Sequence, residues 1–577
     1  MSIDGGRDVT VIGSQLKAGG DMLLGATGDV AVLSGVEEHG SYSKKTKSGF
    51  LGLSKSGKSQ LKTTASQVGS ELEAGNDVVV AAGNDVRVRA SEISADNDVE
   101  LKAGLVKETG DINLISANDT AYSRSEKYEK RTGSISGGFI AISSAKKAGQ
   151  EAQSSTSVGS QVSADRDANL QAERDINLVG SGVSAGRDVS LNAGRDVNVL
   201  AGQSSSSERD WQKSKQAGIG VSSDANGVTL FVGADKSAEK NRLEQQTAAA
   251  SQINAGQDLT INAKRDINQR GSDLSAANDA ELTAGRDINI DAARERLLME
   301  QQRETERNGL SVAINHNYGN TKDAVSGAGK GEDNISKGSS TLKGVDAVGQ
   351  FLAGPTGDVK FGNSKHSTST QLIEETNRSS TLKAGKDLNL AAGNDVAISG
   401  GQLNAGRDIN IKGRDVSLDV AKGSINQNDS ESQSWGGIHG GSSGGIKLGV
   451  GGSHGVASEK GSNGTSTVTT AQAGRDINLN ASNDLSLVGT QAKAGRDIDL
   501  KAGNDLSIRA AQNDSSSDSN RNSGGGEVGF TFGNEGVGVY ASVSMGKGNL
   551  DREGQRQQDA YLYAADRLGF ESGRDTQ

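Results

Sequence analysis

The sequence predicts an all-β protein: a parallel β-helix of about 21-residue, three-strand coils interrupted by glycine-rich β-hairpin segments. Three observations carry that prediction. A Gly-(Arg/Asn)-Asp-like phrase recurs at alternating steps of 8 and 13 residues. Nearly every phrase is followed by apolar residues at the next and third-next positions, the period-2 signature of a strand with one buried face. Finally, the 577 residues include 80 glycines and one proline, Pro355, a residue poorly tolerated in strands hydrogen-bonded on both sides.

The aspartate of each phrase marks the series. It runs through Asp8, Asp21 and Asp29, then Asp77, Asp85, Asp98 and Asp111, then Asp167, Asp175, Asp188 and Asp196. It continues with Asp258, Asp266, Asp279 and Asp287, then Asp387, Asp395, Asp408 and Asp415, and finally Asp476, Asp484, Asp497 and Asp505. Two steps deviate, a second 13 from Asp98 to Asp111 and a 7 from Asp408 to Asp415. Val189 and Leu191, Val197 and Val199, or Ile288 and Ile290 exemplify the apolar pairs, and Gln269 is the clear exception. Each 13-residue step holds one more apolar residue five before its aspartate, namely Leu16, Ile93, Val183, Leu274 and Leu403, with Ala492 a weak case.

Three strands per unit, each unit returning to the same phase, describe one turn of a parallel β-helix. Equivalent residues then stack, with Asp175 below Asp196, Asp266 below Asp287 and Asp484 below Asp505 at a strand spacing of ~4.8 Å. Ala-Gly-Arg-Asp is therefore a corner. Its glycine is expected to supply a positive φ, and its aspartate to accept a hydrogen bond within its own turn. Five or six inward aliphatic side chains per coil are too few to offset the ordering of a whole coil, so stability has to come from stacking. A chain coiled throughout would form a rod of ~130 Å, which interruptions shorten.

Coils are expected over 1–36, 71–120, 161–201, 251–292, 381–422 and 469–511. They alternate with interruptions at 37–70, 121–160, 202–250, 293–380 and 423–468, and a hairpin with a C-terminal tail fills 512–577. Blocks recur about every 90 residues. The apolar middles of the interruptions read as hairpins: Ile219 and Val221 lead to a turn near Asn226-Gly227, then Val228, Leu230 and Val232. Likewise Val528, Phe530 and Phe532 lead through Asn534-Glu535-Gly536 to Val537, Val539, Ala541, Val543 and Met545. "GGIKLGVGG" and "GFLGL" are shorter versions. Such faces either pack along the rod or associate with each other, a partner or an outer-membrane-like bilayer, because alternation is also how membrane strands are written.

Composition restricts the chemistry. No cysteine is present, which excludes disulfides, thiolate metal sites and thiol nucleophiles. A dispersed net charge of −11 argues against nucleic acid as a partner. No apolar run approaches a membrane helix, and the start lacks the regions of a signal peptide, so a secretion signal is expected outside the chain. The aspartates do not follow the nine-residue calcium β-roll period, and the flanking Arg7, Arg187, Arg195, Arg286, Arg407 and Arg496 oppose a cation. They form a ladder rather than the unique carboxylate pair of a polysaccharide-cleaving enzyme. His39, His316, His366, His439 and His454 have no metal-ligand spacing. No catalytic, cofactor-binding or metal residue is assigned, and no cofactor is expected. Lys44, Lys45, Lys47, Lys55, Lys58 and Lys62 read as a solvated face, with anionic lipopolysaccharide as the alternative contact. Gly-Arg-Asp recurs, whereas Arg-Gly-Asp is absent.

The "AGRDINL" and "AGNDV" phrases, with interruptions such as "SYSKKTKSGFLGLSKSGKSQLKTTASQVGSELEAGND", resemble the haemagglutinin repeats of filamentous haemagglutinins. These are bacterial two-partner secretion exoproteins, including contact-dependent growth inhibition proteins. The resemblance covers Arg7 to about Ala510. It implies a right-handed parallel β-helical filament, secreted or at a Gram-negative cell surface, exported through an outer-membrane transporter partner. It implies a non-enzymatic role in adhesion, or in presenting a toxin, with a receptor on a target or host cell. The alternative is a delivery module whose hairpins insert into the target outer membrane. The family's secretion domain and Val-Glu-Asn-Asn motif do not occur in these residues, so the chain reads as an internal fragment or a truncated reading frame.

Overall fold

The sequence's repeating unit closes into one coil. The strands Gly182–Ala185, Val189–Ala193 and Val197–Leu200 follow one another around a turn, and each lies parallel to its equivalent in the next coil. The computed structural model describes residues 1–106, 109–136, 139–224, 227–315, 356–441, 446–533 and 536–577. Asn226, His316, Pro355, Asn534 and Glu535 lie outside the described residues. Among the described residues, stacked coils make three parallel sheets, of 12, 13 and 12 strands in the order a coil visits them. At ~4.8 Å per strand, 13 levels give a rod of about 60 Å.

Alternation puts the apolar residues in one continuous column from Val9 to Leu506. A coil contributes seven inward residues rather than five or six: Val183, Ala185, Val189, Leu191, Ala193, Val197 and Val199 are all buried. The additional ones are the alanines of Ala-Gly-Arg-Asp. Gln269 keeps its inward position although polar, donating from Nε2 to the carbonyls of Ser272 (2.7 Å) and Thr381 (3.1 Å). The irregular steps are absorbed at corners. Across the long Asp98–Asp111 step, Asp111 N still donates to Asp85 Oδ1 at 3.0 Å. Past the short step, Asp484 N donates to Asp415 Oδ1 at 3.0 Å.

The expected role of the corner glycines is corrected. Gly186 and Gly194 are not among the residues with positive φ. Close approach selects them instead: a Cβ at Gly194 would stand 2.1 Å from the carbonyl oxygen of Glu173 one coil below. Positive φ occurs at a different corner, where the third sheet turns directly into the first. Gly13, Gly180, Gly271, Gly400 and Gly489 occupy it, and so does Ala90 with φ 42°. A Cβ in that conformation costs roughly 1 kcal/mol. Ala90→Gly is therefore expected to stabilise its coil by about that amount, read as slower amide exchange at Val88 and Ile93; unchanged exchange would contradict it.

At every second coil this corner opens into a hairpin. Among the described residues the six hairpins are Gly35–Ser48/Ser54–Val68, Ala117–Ser136/Phe139–Val158, Gly202–Asp224/Gly227–Ala249, Ala293–Asn315/Thr356–Arg378, Ala421–Gly441/Ile446–Thr467 and Ala511–Gly533/Gly536–Gln558. They pair side by side into one 12-stranded antiparallel sheet, a fin along the rod. Two coils and one two-stranded hairpin each advance ~9.6 Å, so rod and fin stay in step. That is the physical content of the ~90-residue period. After the last hairpin the chain returns to the coil at Tyr561–Ala564 and Arg567–Ser572.

The fin also corrects the packing expected for the hairpins. Their apolar faces do not lie on the rod: Ile219, Val232, Val450 and Val528 are all exposed. Strands reach 23 residues, ~75 Å, and run through the polar Ser/Lys/Glu-rich stretches as well as the apolar middles. "GFLGL" is not a hairpin of its own. Phe50–Gly52 forms a 3₁₀ turn at the tip of the first hairpin.

Candidate interaction surface

The recurrent charged residues are consumed by the fold. Most corner aspartates accept from the equivalent aspartate one coil up, as in Asp196 N to Asp175 Oδ1 (3.2 Å), Asp287 N to Asp266 Oδ1 (3.3 Å) and Asp505 N to Asp484 Oδ1 (3.1 Å), whereas the short step to Asp415 leaves Asp395 Oδ1 buried without a hydrogen-bond partner. The expected bond within its own turn is thus replaced by one between coils. The preceding arginine grips the same carboxylate: Arg195 Nε donates to Asp175 Oδ1 at 2.7 Å, and Nη2 to Oδ2. Asparagine substitutes for it, Asn504 Nδ2 donating to Asp484 Oδ1 at 2.9 Å. Two such ladders climb the rod. Among the described residues no group of three or more His, Asp or Glu is arranged to hold a metal.

These bonds make stability acid-sensitive in a defined direction. Asp387 and Asp476 are held below the ordinary carboxylate range, first by hydrogen bonds from Arg407 and Arg496, then by the backbone N–H of Asp408 and Asp497. A carboxyl with a lowered folded pKa contributes stability above its unfolded pKa of ~4, lost as pH falls through the folded value. The melting temperature is expected to hold from pH 7 to about 4 and drop below it. A flat or rising profile on acidification would contradict the ladder.

A buried hydroxyl closes the base of the hairpins, a feature the sequence reading missed. Ser70, Ser160, Ser251 and Ser380 donate to the carbonyls of Leu33 (2.7 Å), Ile115 (2.9 Å), Leu200 (2.7 Å) and Asp291 (2.6 Å), and Thr469 likewise to Asp419. Each carbonyl belongs to the last coil-strand residue before the chain leaves for the fin and also accepts a backbone N–H from the coil below, as Leu33 does from Gly13 (3.0 Å) and Leu200 from Gly180 (3.0 Å). The visible signal was a Ser or Thr directly before five of the six returning strands, Ala560 before Tyr561 being the exception.

Near its tip the fin has two unlike faces. Ile140, Ile219, Val232, Leu310, Phe361, Ile438, Val450 and Val528 stand in register across eight strands, and residues directly opposite share a face. Two residues nearer the tip runs a second row: Val221, Leu230, Val312, Val359, Gly440, Leu448, Phe530 and Val539. Nearer the rod the same face becomes charged at Lys215, Lys236, Glu306 and Lys365.

The opposite face is polar, with aromatic rings laid over glycines. Phe231 sits beside Gly233 under the Arg307 guanidinium, 4.8 Å from the ring centroid. Trp435 meets His439 edge-on at 5.6 Å, with Lys360 above it. His439 Nε2 lies 2.9 Å from Glu527 Oε1, and this carboxylate also pushes the Tyr540 hydroxyl up to about 12. The remaining described histidines, His39, His366 and His454, are dispersed over three other hairpin strands. The six lysines share the first hairpin, where Lys45 and Lys58 are direct cross-strand neighbours.

The hemagglutinin repeat family model matches this chain over residues 51–148, 141–242, 232–347, 359–487 and 448–577. Among curated proteins, it is 27% identical to "Toxin CdiA" of Escherichia coli over 72% of this chain and 14% of that protein. It is 26% identical to "tRNA nuclease CdiA-2" of Burkholderia pseudomallei strain 1026b, over 72% of this chain and 14% of that protein. It is also 26% identical to "16S rRNA endonuclease CdiA" of Enterobacter cloacae, over 90% of this chain and 16% of that protein. The chain thus spans about one-seventh of the length of these relatives, and no solved structure matches it. Stacked Arg-Asp corners, paired hairpins and these matches together establish that the chain belongs to the hemagglutinin-repeat family.

Proposed function

We propose that this chain is a non-enzymatic filament segment of a secreted, cell-surface exoprotein of a Gram-negative bacterium, exported through an outer-membrane two-partner secretion transporter. Its work is to extend and to present: it holds binding or toxin regions of a longer protein away from the cell, toward a receptor on a target or host cell. One observation carries the reading. Rod and fin repeat in step, and the aspartates that would be the candidate catalytic residues are spent on stacking. The nuclease activities in the names of relatives belong, on this reading, to parts of those proteins outside the matched region.

Exposed apolar hairpin tips favour a second reading, delivery through a target outer membrane. Two features weigh against it: the fin has open edges, and its back face carries Lys360 and Glu527 at the height of the apolar rows. The test is an exoprotein carrying these residues with 168–258 deleted, which removes two coils and one hairpin in register. Continued export, surface display and action on target cells, from a rod ~10 Å shorter, is the expected result. Loss of action with display intact would show that the segment holds a functional site and would overturn the proposal.

A further inference from the structure

The apolar rows of the fin are the largest feature that the filament role leaves unused. They cross nine strands, from Phe139–Val158 to Gly536–Gln558. Over those strands the two rows make a band of about 43 by 14 Å, roughly 600 Å², which Val228, Phe532 and Val537 extend toward the tip. The side chains are not incidentally exposed: Phe361 is 59% exposed, Val450 57% and Val539 73%. Few monomeric proteins leave a contiguous apolar patch of this size in water. Specific protein interfaces bury about 800 Å² per partner, so the band together with its charged margin at Lys236, Glu306 and Lys365 supplies the area.

We infer that the apolar face of the fin pairs with the same face of a second copy of this chain, sheet against sheet. Shape points to a sheet as occupant, because rows of Val, Ile, Leu and Phe on a pleated surface fit another such surface about 10 Å away. Chemistry points to a like sheet. The band carries no charge, and its charged boundary holds both signs, Lys236 and Lys365 beside Glu306, as a polar rim requires. Repetition points to a second copy: every hairpin from the second to the sixth adds to the band, so two fins match along the filament and each further unit adds contact. A bilayer is the wrong occupant, since hydrocarbon satisfies neither open sheet edges nor a back face bearing Lys360, Lys447 and Glu527. The pairing is independent of the spacer role and joins filaments laterally.

The full chain has no cysteine, so single substitutions report the contact directly. Ile438→Cys on the apolar face is expected to give a dimer with a short bis-maleimide, and Ser311→Cys on the polar face is expected to give none. In sedimentation equilibrium the parent chain dimerises. Phe361→Lys with Val450→Lys shifts it to monomer at least tenfold in dissociation constant, while its far-ultraviolet circular dichroism is unchanged. A parent monomeric at all concentrations, or cross-linking equal from both faces, would overturn the pairing. So would flotation of the monomer with phosphatidylethanolamine–lipopolysaccharide vesicles abolished by the double lysine variant, which would assign the face to a membrane. Should the lysine variant lose its circular dichroism, the cysteine pair still decides.

Discussion

Ile288→Asp is expected to unfold the rod locally, at a cost on the order of 4 kcal/mol or more. Ile288 is fully buried and stacks between Ile267 and Val396 in the third sheet, so a carboxylate there meets only apolar neighbours in its column. Protonation is the less costly response, yet a neutral carboxyl still lacks a hydrogen-bond partner in the column. The neighbouring Asn289 supplies the contrast. It points outward and donates from Nδ2 to Asn268 Oδ1 at 2.9 Å, so Asn289→Asp is expected to cost under about 1 kcal/mol. Amide exchange after the two substitutions separates inside from outside. Loss of protection at Ile267, Ile288 and Val396 is expected for the first only, and equal effects would contradict the inward assignment.

The second large effect concerns phase. Deleting residues 168–258 joins Asp167 to Leu259 and brings the strand Phe139–Val158 against Ala293–Asn315. Ile219 and Leu310 occupy the same height in the fin, since both stand opposite Val232, so Ile140 meets Leu310 as it met Ile219. Stability is expected to change little. Deleting only 168–188 also keeps the coils in register, since Asp188 is the equivalent of Asp167 one coil up. It leaves successive hairpins departing ~4.8 Å apart where two strands need ~9.6 Å. The pairing of Phe139–Val158 with Gly202–Asp224 must then break, with a drop in melting temperature on the order of 10 °C. Protease sensitivity confined to the fin is the corresponding readout. Equal stability of the two deletions would show that rod and fin are not coupled.

The rod was legible because its information is local. An apolar pair after nearly every aspartate, and a third apolar residue five before every second one, name all three strands without reference to anything distant. What the corner residues do was not legible in the same way. Arg195 and Asp196 are adjacent, but the arginine serves Asp175, twenty residues earlier, and only stacking makes that pairing visible. Gly194 was assigned to backbone conformation when its neighbour Glu173 in the coil below is the reason. The fin was the least legible part. Its strands are satisfied on both edges by other hairpins, so their side chains need no alternation: Ser204 to Ser207 and Lys213 to Lys215 are as much strand as Ile219 and Val221. Pairing between distant segments, such as Leu310 with Val232 78 residues earlier, leaves no short-range pattern.

Disulfide trapping across a hairpin tests the stacking most directly. Asn198 and Asn268 are 70 residues apart, with the whole Gly202–Ala249 hairpin between them, yet Asn268 Nδ2 donates to Asn198 Oδ1 at 2.9 Å. In a chain without cysteines, Asn198→Cys with Asn268→Cys should oxidise rapidly to an internal disulfide, because adjacent parallel strands place Cα atoms ~4.8 Å apart, within disulfide reach. Asn198→Cys with Ile219→Cys, twenty-one residues apart but divided between rod and fin, should not. If the second pair closed and the first did not, coils would continue through the interruption and the stacked architecture would be refuted.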